Sequence, residues 1–112
     1  MSQFLVAIHH PDGYDGSNEG PEMARDIDTL NDEMVAAGVR IFVGGLHPAR
    51  AAKGWKLLPG GELSAFEGPF LKAGEQVGGF WVIEAPSMDD AMEWGRKAAI
   101  ACRAPVEVRQ FH

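Results

Sequence analysis

Gly79-Phe80-Trp81-Val82-Ile83-Glu84 carries four consecutive large apolar residues and is followed by Pro86. A short run of aromatic and β-branched side chains bounded by Gly and Pro reads as a strand. Its apolar residues occupy successive positions, so both faces of the strand are apolar. A half-solvated antiparallel strand alternates instead. Phe4-Leu5-Val6-Ala7-Ile8, inside a strand expected over residues 3–8, has the same character. A sheet built on these two strands needs apolar cover on both sides.

Downstream, Ser87 with Asp90 three residues on resembles a capping box. Met88, Ala91, Gly95, Ala98 and Cys102 then form a narrow, small-residue helix face, and Ala104-Pro105 closes it ahead of a last strand at 106–111. Upstream, Pro21 suits a helix's first turn. Met23, Ile27, Leu30 and Met34 recur on one face, away from Asp26, Asp28, Asp32 and Glu33, and Gly38 supplies the left-handed stop. A strand follows at 39–46. Segments 55–58 and 62–66 flank Pro59-Gly60-Gly61 as a β-hairpin. Residues 9–20, rich in Pro, Gly, Asp, Ser and Asn, read as an exposed loop.

The order β, α, β, hairpin, β, α, β gives the α+β class and a ferredoxin-like split βαβ plan: an antiparallel sheet with two helices on one face. Those helices leave the second face uncovered. The expected cover is the same face of another subunit, in a dimeric α/β-barrel-like assembly burying on the order of 2,000 Å².

With 112 residues the chain fits one domain, 1–112, and 46% hydrophobic residues exclude a disordered polymer. A net charge of -6 argues against nucleic acid as a partner, with Arg40, Arg50, Lys53 and Lys56 read as solvated cations. The lone Cys102 forbids an internal disulfide and a multi-thiolate zinc site, and its Ala-rich helical setting suits a buried, inert thiol. Adjacent His9 and His10 on extended backbone point to opposite faces, so no metal site is expected. No glycine spacing fits a dinucleotide or phosphate loop, and no cofactor is expected. The five-residue apolar run near the start is too short for a membrane span or a leader, making a reduced, cytoplasmic setting the expectation.

Phe66-Glu67-Gly68-Pro69-Phe70, followed by Glu75-Gln76-Val77-Gly78-Gly79-Phe80, resembles the signature of the DGPF-domain branch of YCII-related proteins. The likeness extends to Gly45-Leu46-His47-Pro48, to Asp89-Asp90-Ala91-Met92-Glu93-Trp94 and to Val106-Glu107-Val108-Arg109, covering most of the chain in the expected order. The resemblance implies a dimer with a cleft between sheet and loops, a suggested catalytic role, and in some members a link to extracytoplasmic-function sigma factors. The chain departs from the pattern at Glu67, where Asp is usual, and at Lys72-Ala73-Gly74-Glu75, where Glu-Thr-Lys-Glu is usual. The acid–histidine pair of the other YCII branch has no counterpart, because the first helix contains no histidine.

Five residues are candidates for chemistry. His47, at a strand end, suits proton transfer near neutral pH or a hydrogen-bonded loop position. Glu67 is a candidate base, a ligand for a substrate cation, or an acceptor for the turn after it. As a catalytic pair, His47 and Glu67 need to share one pocket. Glu75 and Gln76 precede Gly78-Gly79, where backbone approaches either a ligand or a neighbouring strand. Trp81 is the fifth, a candidate binding residue whose type equally fits a core. The leading function is a small-molecule-binding protein or an enzyme using acid/base chemistry in a cleft at the sheet edge. The alternative is a non-catalytic interaction module, such as a regulator associated with a sigma factor.

Overall fold

The computed structural model describes residues 1–112. Its elements are β1 (Ser2–Pro11), α1 (Pro21–Ala36), β2 (Arg40–Gly45), β3 (Lys53–Leu57), β4 (Leu63–Glu67), β5 (Glu75–Ala85), α2 (Met88–Cys102) and β6 (Val106–Gln110), with 3-10 turns at Gly16–Asn18 and Ala49–Ala51. β2, β5, β1 and β6 form an antiparallel sheet in that order, while β3 and β4 form a separate two-stranded hairpin. With the hairpin set aside, this order is compatible with a ferredoxin-like fold.

Local chemistry explains the helix ends. Pro21 opens α1. At the start of α2, Ser87 Oγ accepts from the Asp90 backbone N–H, and the Asp90 carboxylate accepts from the Ser87 hydroxyl (3.0 Å). α1 stops at Gly38 in a left-handed conformation (φ 71°). Arg103 takes the same conformation after α2.

One sheet face carries Phe4, Val6, Ile8, Trp81 and Ile83, and these pack with Met23, Leu30 and Met34 of α1 and the small residues of α2 into one core. Ala91, Gly95 and Ala98 are buried, as the small-residue face of α2 requires. A Cβ on Gly95 would stand 2.7 Å from a Val108 methyl, so α2 lies close against β6.

Three sequence expectations change. β1 runs on to Pro11, so His9 and His10 lie in a strand and not in a loop. β5 begins at Glu75, four residues before the expected start at Gly79, because its polar half pairs with residues 9–11 of β1. Burial along β5 alternates despite the continuous apolar sequence: Trp81 and Ile83 are sealed, whereas Phe80 and Val82 are half-buried on the other face. Leu5 and Val82 are register partners there, with Phe42 opposite Val82 on the far side. Phe42 is 52% exposed.

Asn31 ties the core to α1. The Trp81 indole N–H donates to Asn31 Oδ1 (2.9 Å), Arg40 donates to the same oxygen (3.1 Å), and Asn31 Nδ2 donates to the Ile27 carbonyl (3.1 Å). Replacing Asn31 with Ala orphans the N–H of a Trp81 that is 1% exposed. A loss of about 1–3 kcal/mol in unfolding free energy is expected by denaturant titration. A change within experimental error would show that water substitutes for the amide.

Candidate functional site

A cleft of about 560 Å³ opens on the helix side of the sheet, between the ends of β1, β2 and β5 and the loops at 11–20 and 46–50. Its construction starts from a bulge. Ile8 pairs with Gly79 but His9 pairs with Val77, which leaves Gly78 as the extra residue on β5. The His10 ring lies over Gly78: a Cβ there would stand 2.0 Å from His10 Cδ2. A Cβ on Gly79 would stand 2.8 Å from the Gly44 carbonyl oxygen. Both glycines are therefore demanded by close approach.

Beyond the bulge, Tyr14 stacks on His10 with ring centroids 3.9 Å apart and planes 6° from parallel. The Tyr14 hydroxyl donates to the Glu19 carboxylate, closing the 11–20 loop on itself. Burial, and next the Glu19 hydrogen bond, push the Tyr14 phenol up to about 12. It is held as a neutral donor. Ile8, Met23, Ile27, Val43 and Trp81 give the interior an apolar lining, and Cys102 adds a thiol that burial pushes up to about 11. His47 and Arg50 line the cleft from the 46–50 loop. Arg50 makes no ion pair, but its charge reaches Asp15 on the loop opposite and helps hold that carboxylate below its ordinary range, after the larger effect of hydrogen bonds from Ser17.

Of the five residues singled out from sequence, His47, Gln76 and Trp81 line the cleft, and Glu67 and Glu75 do not. Glu67 ends β4 of the hairpin, 3.9 Å from Lys53 in an ion pair that is open to solvent on both sides. A single chain does not bring it into the cleft with His47. Gln76 is a strand residue whose amide donates to the Leu71 carbonyl (2.7 Å), tying down the loop before β5. Trp81 contributes an apolar wall, its N–H being spent on Asn31. Glu67 does mark a real turn, since Gly68 follows it at φ 80° and donates to the Ala52 carbonyl at the hairpin's base (2.7 Å). Sequence reasoning missed His10, Tyr14, Glu19 and Arg50. The available signal was the glycine pair 78–79 facing a histidine pair, the arrangement a bulge produces. No three His, Cys, Asp or Glu side chains cluster closely enough to hold a metal ion.

The model of the YCII-related domain matches residues 4–111. The chain belongs to the YCII-related family. It is also 32% identical, over 78 residues, to an uncharacterized protein of Rhizobium meliloti (strain 1021). That alignment covers 70% of this chain and 62% of the relative, so it spans less than two thirds of the relative's length.

Tyr14 is the single tyrosine of the chain, so phenolate absorbance reports it alone. Folding raises its pKa from the ordinary 10.0 to about 12. Its contribution to stability is whole below pH 10 and is lost as pH rises through about 12, because the unfolded chain ionises first. Folded protein at pH 10.5 is expected to show little phenolate, and Glu19→Gln to show more. Half-ionisation at pH 10 in folded wild-type protein would refute the Tyr14–Glu19 pairing.

Proposed function

We propose that this YCII-related protein binds a small organic molecule in the cleft and moves a proton on it, with His47 and His10 as the proton-transfer groups. One observation carries the reading: an apolar cleft of ligand size bears two histidines, one on each wall. Its volume of about 560 Å³ lies within the range of small-molecule sites. Imidazole serves as acid or base near neutral pH, and Tyr14, held neutral, serves as a fixed hydrogen-bond donor beside His10. Gln76 and Trp81 shape the cleft. Glu67 takes no part in this scheme within one chain.

We also infer that the functional unit is a homodimer packed through the open sheet face. Phe42, Phe80, Val82 and Leu5 lie together there, with neither helix covering them. An interaction module without chemistry uses the same apolar face but has no need of the cleft. The histidine-lined cavity therefore favours the first reading.

Proton exchange from weakly acidic C–H bonds of small carbonyl compounds, followed by NMR in D₂O, tests the chemistry. His47→Ala and His10→Ala are each expected to slow exchange by about 10²–10⁴-fold with the fold retained. Failure of any such compound to bind or exchange on wild-type protein would defeat the acid/base reading. For the dimer, Val82→Asp sets a carboxylate in the middle of the open face and is expected to give monomers or unfolded chain in sedimentation velocity. A wild-type protein that sediments as a monomer at micromolar concentration would overturn it.

A further inference from the structure

We propose that the β3–β4 hairpin is an intermolecular arm, its apolar face lying on a second copy of this chain. The proposal rests on the reading that a second copy covers the open sheet face, and it names a separate contact within that assembly.

The hairpin is not part of the chain's own core. Its strands pair with each other in a sheet of their own, and no residue of either strand belongs to the buried cluster or to the side chains packed around it. The register Trp55↔Ala65 and Leu57↔Leu63 sets these four residues on one face. Trp55 is 71%, Leu57 69% and Leu63 63% exposed. The other face is satisfied locally: the Phe66 ring fills the space above Gly54 and meets Phe70 at 5.7 Å. A two-stranded hairpin alone in water is marginally stable at best. Three large apolar side chains held in water on one face of it call for a surface.

The shape of the chain says where that surface is not. The radius of gyration is 16.0 Å with extents of 49 × 36 × 18 Å. A compact domain of this length has a radius of about 13 Å. The hairpin projects, and the exposed apolar side chains of edge strand β2, Ile41 and Phe42, are not folded under it. One chain thus carries an apolar arm and an apolar seat that do not meet internally. Two-fold symmetry solves both at once, because each arm then lies on the partner's β2 side and every contact occurs twice. With about two-thirds of each side chain exposed, Trp55, Leu57 and Leu63 offer on the order of 350 Å² per arm. Two arms and the surfaces they cover supply most of the roughly 1,600 Å² of a standard interface.

The arm is also continuous with the cleft. His47, Pro48, Ala49 and Arg50 line the cleft, and the chain enters β3 at Lys53. Seating the arm on a second copy fixes the root of that segment, so assembly and the position of His47 are linked.

The test uses the full chain. Trp55→Ser/Leu57→Ser/Leu63→Ser is expected to weaken self-association by more than about tenfold in sedimentation velocity, with far-UV circular dichroism retained. Undiminished association of this variant, while Val82→Asp dissociates, would overturn the arm and leave the sheet-face dimer standing. Monomeric wild-type protein would overturn both. Trp55→Phe gives a second reading should the triple variant fail to fold. The wild-type minus variant fluorescence isolates Trp55, and its emission is expected to be blue-shifted when assembled and to move red on dilution. A water-like emission maximum at all concentrations would overturn the arm.

Discussion

The strand approach at Gly44 and Gly79 is the constraint on which the rest of this structure depends. β5 lies between β2 and β1, and every other strand of the main sheet is placed by it or by β1. At Gly79 the neighbouring carbonyl of Gly44 leaves no room for a Cβ, and one residue earlier the His10 ring occupies the corresponding space above Gly78. Two glycines in the middle of a strand weaken it by removing side-chain contacts and adding backbone entropy. They are tolerable here because the strand continues for 11 residues, with Trp81, Ile83 and Ala85 sealing its other half in the core.

The same segment organises the cleft. Leu46 donates its backbone N–H to the Gly78 carbonyl (2.8 Å), and Asp12 donates to the Gly74 carbonyl (2.8 Å). Both loops at the mouth thus hang from residues 74–78. The bulge shifts β5 by one residue so that Gln76 comes opposite His10, which ordinary alternation along β1 keeps on the helix side, and the turn at 11–14 brings Tyr14 onto His10. The Glu-Gln-Val-Gly-Gly run has a physical account in these terms. Gln76 ties the preceding loop, Gly78 makes room for a histidine, and Gly79 admits the neighbouring strand.

The elements legible in the sequence were those with a local cause. Pro21 and Gly38 bound α1, Ser87 with Asp90 starts α2, and Pro59-Gly60-Gly61 turns the hairpin, each through the conformation of one or two residues. The polar halves of β1 and β5 were not legible. Residues 9–11 and 75–77 have loop composition and become strands only because each supplies the other's hydrogen bonds. Candidate site residues divide the same way. His47 follows a strand end and lines the cleft, whereas Glu67 belongs to a hairpin whose direction relative to the sheet no local pattern encodes. His10, Tyr14 and Glu19 come together through a bulge, a stacked ring pair and a hydrogen bond, none of which has a fixed sequence spacing.

The apolar residues of β5 face two ways, and the chain's own core accounts for one of them. Trp81 and Ile83 are required by the helices, and their burial follows from the core they form. Phe80 and Val82 face away from that core, where a solvated sheet would carry polar residues. On β6 the outward positions are Glu107 and Arg109, opposite Ala7 and Leu5, so the chain does use charge on this face at one edge. The apolar strip therefore runs through β1, β5 and β2 and stops at β6. It is an asymmetric, bounded patch, and that boundary is the ground for the proposed interface. In chain order the hairpin follows β2, the edge strand at which that strip ends, with only residues 46–52 between them.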